Sequence, residues 1–278
     1  MDEEDERQRT WLETFDYPHR KYSSANRAKN LRHSAQPSSG TVGKQKLPVV
    51  LVKVKWEHYY TKGTELRTSK KARNNKLLTT QYAPTSLDTA NETEQDAWKI
   101  TDAHIVQPVL KAMNQMYPHL ALQTFNENPL GDAEVLLRVD IAVKPTKQAD
   151  KRPVMLIELK RCYYIHDEEF EDASRPAEGI EEEVERIKKL KIPKVKGKVT
   201  SPSSISVQSN AYPFVQQATA YYTKSGCRFV ALCDYEHLIL LEYHESGNLD
   251  TAEVTIVPRE HFLRKLLGFM MKACGTTA

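Results

Sequence analysis

The chain has 278 residues, of which 40% are hydrophobic and 28% are charged, and its formal net charge is +3. This charge is too small to establish nucleic-acid binding, and the hydrophobic share predicts an ordered core with polar extensions. An apolar run long enough for a transmembrane helix is absent, as is a secretory signal, so we expect a soluble intracellular protein. The four cysteines form no C-x-x-C pair, which favours a reducing compartment. Nucleus and cytoplasm both fit, with a slight preference for the nucleus.

Residues 1–46 are polar and charged and contain Ser, Gly and Pro, which predicts a largely disordered tail. Trp11, Phe15 and Tyr17 stand among acidic residues in this tail. They are either a short docking segment for a protein partner or stray aromatics in a flexible chain. We expect the remaining residues, 47–278, to form a single domain.

Two segments open this domain. Residues 48–56 alternate valines with charged or apolar residues and predict a strand. Residues 67–76 form a basic run that contains Lys70, Lys71 and Arg73. This run is either a patch that contacts phosphates or directs nuclear import, or ordinary solvated surface.

A long helix is predicted next, over residues of about 89–117, because apolar side chains recur at steps of three and four. Pro108 predicts a kink in this helix or its division into two. Glu94 lies one turn before Trp98 on the inward stripe. It is either an acid directed at a site or a first-turn charge that complements the helix dipole.

Strands are predicted at residues 120–125 and, twice more, within residues 134–161, where two apolar runs flank a polar connection. Asp140 interrupts the first of these two runs, and Glu158 and Lys160 interrupt the second. Because strand side chains alternate, Glu158 and Lys160 point to one face. Charges within core strands are unfavourable unless compensated, and a divalent cation bound by both carboxylates would compensate them. The other interpretation is a half-exposed strand with an ion pair.

Residues 162–209 have the character of a charged insertion, with a helix predicted within residues 177–191. The basic stretch that follows contains Lys194, Lys196 and Lys198. These lysines either belong to a lid that grips a phosphate backbone or are part of a solvated embellishment.

A second informative helix is predicted between Asn210, as its cap, and Gly226, as its stop. Gln217 and Tyr221 are one turn apart on a single face of this helix, with Gln216 as the competing choice for a polar role. For Tyr221 the alternative is core packing. Strands are then predicted at residues 228–234 and 238–243, a possible edge strand at 255–257, and an amphipathic helix at about 258–274.

The order of Asp140, a hairpin and Glu158-Leu159-Lys160 resembles the core motif of the PD-(D/E)XK nuclease superfamily. The Gln217-x-x-x-Tyr221 spacing resembles the helix motif of its RecB-like and lambda-exonuclease-like members. The motif's opening proline is missing, since Val139 precedes Asp140. The resemblance spans residues of about 89–243. It implies an α/β fold with a restriction-endonuclease-like core, in which helices flank a mixed central sheet.

The same resemblance implies a site for Mg²⁺ or Mn²⁺. Its expected ligands are Asp140, Glu158 and the Leu159 carbonyl, with Glu94 completing the set directly or through water. Hard oxygen ligands suit either ion.

The resemblance also implies roles for the remaining polar residues. Lys160 is expected to orient the attacking water and offset negative charge, Gln217 to position water or a phosphate oxygen, and Tyr221 to brace the helix. The implied reaction is hydrolysis of phosphodiester bonds, in DNA more than in RNA. Two alternatives stay open: a catalytically inactive nuclease-like module that binds nucleic acid or a protein, and an interaction protein that works through its tail and insertion.

Overall fold

The computed structural model describes residues 10–16, 45–55, 57–80, 93–130, 137–147, 152–190, 194–195, 198–199 and 202–275. These residues build one main sheet and a small separate ribbon. In chain order the strands are β1 (Val50–Lys53), β2 (Leu122–Leu130), β3 (Leu137–Pro145), β4 (Met155–Leu159), β5 (Ser174–Arg175), β6 (Lys194–Val195), β7 (Lys198–Val199), β8 (Phe229–Cys233), β9 (Leu238–Tyr243) and β10 (Thr251–Val257).

The helices are α1 (Trp11–Thr14), α2 (Glu57–Thr68), α3 (Lys70–Arg73), α4 (Glu94–Thr101), α5 (Gln107–Met116), α6 (Asp167–Ala173), α7 (Ile180–Lys188), α8 (Ala211–Ser225) and α9 (Phe262–Ala273). No helix in the described ranges is both long enough and apolar enough to cross a membrane.

The main sheet is mixed, as predicted, with the strand order β2-β3-β4-β8-β9-β10-β1-β5. Strands β2, β3 and β4 form an antiparallel meander, and β8 then lies parallel to β4 after the crossover through α8. Strands β8, β9 and β10 are antiparallel, and β1 runs parallel to both β10 and β5. The predicted possible edge strand at residues 255–257 is wrong in position, because it belongs to β10, which lies inside the sheet between β9 and β1.

Two apolar cores cover the two faces of this sheet. On one face, Ile141 and Ile157 pack with Val109 of α5 and Leu266 of α9. The other face packs against α8 and is here called the α8 face. Its core contains Ala142, Leu156 and Leu232 from the strands and Phe214 and Ala218 from α8. Strand alternation therefore assigns even-numbered residues of β4 and β8 to the α8 face.

The predicted long helix runs as contiguous segments interrupted before Pro108, in agreement with the predicted kink or division. A π-helical turn, Asp102–Val106, joins α4 to α5, and Pro108 lies in the first turn of α5. A proline has no N–H to donate to the preceding turn, and a π turn accommodates this interruption without ending the helix. At the start of α4, Thr93 and Asp96 form a reciprocal capping box.

The charged insertion is joined to the sheet rather than separate from it. Its strand β5 pairs with β1, so this segment forms the far edge of the main sheet. Ser204 Oγ donates to the Ala173 carbonyl over 2.6 Å, and Ser203 Oγ donates to the Pro48 carbonyl over 2.7 Å. The first bond joins the end of the insertion to α6 within the insertion, and the second ties it to the residues just before β1.

Part of the predicted tail packs on the domain. Leu12 and Phe15 are buried in the core opposite the α8 face, and the Leu12 N–H donates to the Leu78 carbonyl over 3.1 Å. Asp16 forms ion pairs with Arg67 and Arg264. The aromatic segment therefore docks on its own chain, while Tyr17 lies outside the described residues.

All four thiols are expected to react slowly with disulfide reagents in the folded protein. Cys162, Cys227, Cys233 and Cys274 are free cysteines, and burial raises the pKa of each thiol to about 12. Because only the thiolate is nucleophilic, reaction with Ellman's reagent at pH 8 should be slow until the protein is unfolded in guanidinium, and four thiols should then react. Cys162, Cys227 and Cys233 are buried and Cys274 is half-buried, and rapid reaction of any of them in the native protein would contradict the raised pKa of its thiol.

A buried polar cluster as candidate active site

The hairpin of β3 and β4 brings the two predicted acids together. Ile141 pairs with Ile157 and Ala142 with Leu156, so extending the register by one residue places Asp140 opposite Glu158. The Leu159 N–H donates to Asp140 Oδ2 over 2.7 Å. The Asp140 side chain thus continues the contact between β3 and β4 beyond their last backbone pair. Directly opposed residues share one face of a sheet. The two carboxylates therefore point to the α8 face.

Glu158 is the centre of a closed set of hydrogen bonds. Its Oε1 accepts from Lys160 Nζ over 2.5 Å and from Gln217 Nε2 over 2.6 Å. Its Oε2 accepts from the Tyr221 hydroxyl over 2.6 Å. Glu158 is only 4% exposed, and a buried carboxylate is tolerated when a cation and donors surround it. The cluster of Asp140, Glu158, Lys160, Gln217 and Tyr221 is hereafter the acidic cluster.

Helix α8 supplies two of these donors from one face. Gln217 and Tyr221 are four residues apart, and Gln217 Nε2 also donates to the Tyr221 hydroxyl over 2.6 Å. The Tyr221 hydroxyl lies 2.9 Å from the Arg138 carbonyl. Burial, and then the negative charge of Glu158, raise the pKa of Tyr221 well above its usual value. Its phenol therefore stays protonated and acts as a donor.

The neighbouring Gln216 does not join the cluster. Its Nε2 donates to the Gln45 carbonyl over 3.0 Å, so Gln217 is the glutamine that reaches Glu158. Tyr222 is also excluded, because its ring stacks on Tyr243 with the centroids 4.6 Å apart.

The cap of α8 differs from the predicted one. Asn210 occupies the N-cap position, but its side chain makes no capping bond and donates instead to the Tyr164 carbonyl over 3.0 Å. The N–H of Ala211, the first residue of α8, donates to Glu169 Oε2 over 3.0 Å. The predicted stop at Gly226 is confirmed, since this residue has φ 69°. The start of α8 is thus tied to the segment that follows β4.

Lys160 lies just beyond the end of β4 and is also buried. Its backbone N–H donates to the Cys233 carbonyl over 2.8 Å, which extends the parallel pairing with β8 by one residue. Its Nζ lies 5.7 Å from the centre of the Phe214 ring on α8. The ammonium is therefore held between Glu158 and an aromatic face.

Asp140 and Glu158 are the residues of the acidic cluster whose chemistry could hold a metal ion. Among the residues that the structure describes, no group of three or more His, Cys, Asp and Glu side chains is arranged to hold a metal ion. Mg²⁺ commonly binds through only one or two carboxylates, with waters and substrate phosphates as its other ligands. Asp140 and Glu158 supply such a pair, and Glu158 Oε2 retains acceptor capacity beyond its bond from Tyr221. Glu94 is the first residue of α4, but its side chain lies outside the described part.

The three predicted basic residues of α3 are not brought to this cluster. Lys70, Lys71 and Arg73 are exposed on α3, whose Ala72 packs in the core opposite the α8 face. Lys71 Nζ donates to the Met116 carbonyl over 2.5 Å. Lys194 and Lys198 lie in the β6–β7 ribbon, but their side chains, and Lys196 as a whole, are outside the described residues.

A neighbouring pair, Asp234 and His237, was not predicted as part of a site. Asp234 is fully buried and lies beside Lys160 by extension of the β4–β8 register. Its Oδ1 accepts the His237 N–H over 2.8 Å and lies 3.0 Å from His237 Nδ1. Burial lowers the pKa of His237, but the hydrogen bond and charge of Asp234 more than offset this and raise it. The Asp-x-x-His spacing across a turn was the available sequence signal.

No family model, curated protein or solved structure matches this chain.

Proposed function

We propose that this protein is a Mg²⁺-dependent nuclease of the PD-(D/E)XK kind, which hydrolyses phosphodiester bonds in nucleic acid. The observation that carries the proposal is the acidic cluster. Lys160 and Gln217 donate to the buried Glu158 carboxylate, and Asp140 lies opposite it on β3, bonded to the Leu159 N–H. A structural ion pair between Glu158 and Lys160 would need neither the opposed Asp140 nor the donors from α8.

The topology around the cluster supports the same proposal. A helix precedes the antiparallel meander β2-β3-β4, and α8 then leads to β8, which is parallel to β4. This is the order of elements that the resemblance implies for a restriction-endonuclease-like core. The acids lie on β3 and β4, and the glutamine and tyrosine lie on the crossover helix.

Each residue then has a definite task. Asp140 and Glu158 would hold the ion, which supplies a Lewis acid and lowers the pKa of a bound water. Lys160 fixes the orientation of Glu158 and places a positive charge where the phosphate becomes more negative. Gln217 orients the same carboxylate, and neutral Tyr221 holds Glu158 against the Arg138 backbone. Asp140 is less buried than Glu158, so a substrate phosphate would approach from the Asp140 side.

A second candidate function follows from one observation. Glu158 is nearly inaccessible, and donors already occupy both of its oxygens. A nuclease-like module that uses this network only for stability would bind nucleic acid or a protein without hydrolysis. Metal binding separates the two candidates.

Asp140→Asn is expected to reduce Mg²⁺-dependent cleavage of plasmid DNA or of labelled oligonucleotides by at least about 100-fold, because it removes one anionic ligand at nearly constant shape. Initial rates with Mg²⁺, with Mn²⁺ and with EDTA measure this effect. The matched control is Asp172→Asn, an exposed acid on α6, which should leave the rate unchanged.

Equal rates for wild type and Asp140→Asn would contradict the proposed site. If the wild type cleaves neither DNA nor RNA and calorimetric titration shows no Mn²⁺ binding, the nuclease proposal fails; binding of nucleic acid or of a protein by that inactive protein would then support the second candidate.

A further inference from the structure

An exposed aromatic residue lies beside the acidic cluster, on the strand that forms one edge of the sheet. Phe125 on β2 is 39% exposed, and it is one of three large exposed hydrophobic residues in the described ranges, with Leu77 and Leu190. An isolated exposed phenylalanine needs no explanation in itself. The position of Phe125 beside the acidic cluster, however, indicates a role for its exposed ring.

The strand register places Phe125 on the α8 face. Phe125 pairs with Ala142 on β3, and Ala142 packs in the core of the α8 face. Asp140 precedes Ala142 by two residues and so points to this face, about 7 Å further along the strand. The ring therefore stands one strand outward from the acidic cluster. Because β2 is the edge strand, a ligand can reach both the ring and Asp140 from the same side.

A lysine lies beside the exposed Phe125 ring on the α8 face. Lys144 Nζ lies 5.1 Å from the centre of the Phe125 ring, and Lys144 shares the face of Ala142 and Asp140 because it lies two residues beyond Ala142. Burial lowers the pKa of Lys144, and an anion beside it would act in the opposite direction. Arg138, which is exposed, lies two residues before Asp140 on the same strand. Two cations on β3 thus flank Asp140 along the strand.

We infer that Phe125 and Lys144 form a platform for single-stranded nucleic acid, on which an unpaired base stacks while the lysine contacts the adjoining phosphate. Aromatic side chains next to cations are how proteins bind single strands without sequence preference, because every base has a π face. A base within a duplex presents no free face to an edge strand. This inference rests on the proposed function and specifies its substrate as an unpaired strand.

Binding is to be measured without cleavage, so that the two proposals are tested separately. The background is Asp140→Asn in the full chain, and the probes are fluorescein-labelled oligo(dT), oligo(rU) and a duplex of mixed sequence, followed by fluorescence anisotropy. Phe125→Ala is expected to raise the Kd for the single strands by about tenfold, since one base–aromatic stack is worth between about 5- and 150-fold. Phe125→Trp should keep or improve the affinity.

Lys144 gives an independent readout. Lys144→Ala should weaken binding and reduce the slope of log Kd against log salt by about 0.7, the amount expected for one lost phosphate contact on a single strand. Lys144→Arg should keep the slope. The matched control is Leu77→Ala, which removes another exposed apolar side chain, 50% exposed and close to α3, and should change neither Kd nor slope.

The binding and cleavage measurements distinguish failure of the platform from failure of the proposed hydrolysis. If Phe125→Ala weakens binding but no form of the protein cleaves, the platform stands and the proposed hydrolysis fails. If Asp140→Asn abolishes cleavage but Phe125→Ala binds like the Leu77→Ala control, the nuclease stands and the platform fails. The platform also fails if single strands do not bind, if the duplex binds more tightly than the single strands, or if Phe125→Ala changes only the oligomeric state in gel filtration. An unchanged unfolding temperature for Phe125→Ala would show that the fold is intact.

Discussion

Replacing Lys160 with methionine is expected to lower the free energy of unfolding by about 3 kcal/mol, the lower end of the effect of breaking a buried ion pair. Methionine keeps the length and apolar stem of lysine but leaves the Glu158 charge, which is 4% exposed, with only neutral donors. Urea denaturation at pH 7 measures the change. The double variant Glu158→Gln, Lys160→Met removes the charge as well and should recover most of the lost stability.

The chain contains a matched control for this result. Lys53 and Glu171 form an ion pair of the same chemistry on the surface, where their side chains are 48% and 44% exposed. Lys53→Met should therefore change the free energy of unfolding by less than about 1 kcal/mol. If Lys160→Met proved as mild as Lys53→Met, Glu158 would not be a buried, charged group. The nuclease proposal also requires Lys160→Met to lose cleavage under conditions in which the variant is still folded. The double variant serves only the stability measurement, because Glu158→Gln removes a proposed metal ligand.

Gly268→Ala is expected to destabilise the protein by about 3 kcal/mol or more, although glycine to alanine within a helix ordinarily stabilises by about 1 kcal/mol. Helices α2 and α9 pack at a pair of glycines. A Cβ on Gly268 would overlap the Tyr59 carbonyl oxygen, and a Cβ on Gly63 would overlap the Arg264 carbonyl oxygen. Both obstacles are backbone atoms, so the two helices would have to separate. Thermal and urea unfolding of Gly63→Ala and Gly268→Ala measure the effect.

Gly226→Ala serves as the comparison, because a Cβ there meets nothing within 4 Å and adds only the strain of a left-handed residue. We expect this variant to cost about 1 kcal/mol. A neutral or stabilising Gly268→Ala would show that α2 and α9 do not approach this closely. The contact matters beyond the two glycines, because Tyr59 on α2 and Lys272 on α9 both donate to the buried Glu242, over 2.8 Å and 2.6 Å.

Much of the acidic cluster could be predicted because its members are close in sequence or periodic. Asp140 and Glu158 lie on two strands of one hairpin, so their meeting needs only the correct pairing of neighbours. Gln217 and Tyr221 lie one turn apart, which a helix places on one face whatever surrounds it. The alternation of apolar residues likewise located β3, β4, β8 and β9 near their observed bounds.

Other features depended on partners that are distant in the chain. Asn210 makes no capping bond, and Glu169, which lies 41 positions before Asn210, accepts the N–H of Ala211 at the start of α8. The aromatic segment of the tail docks on Leu78 and Arg264, although its composition predicted disorder. Composition describes a segment's average behaviour, whereas docking depends on whether a complementary surface exists elsewhere.

The amino-acid sequence by itself determined the faces of the strands and helices and the identity of the polar residues that share them. The tertiary structure alone decided that β10 lies inside the sheet, that β5 closes its edge, that Glu158 is buried, and that Phe125 is left exposed beside Asp140. The physical reason is the distance along the chain over which each kind of interaction acts. Side-chain periodicity is a property of a few consecutive residues, whereas strand order and burial are set by contacts between distant segments, whose loop-closure entropy depends only weakly on their separation.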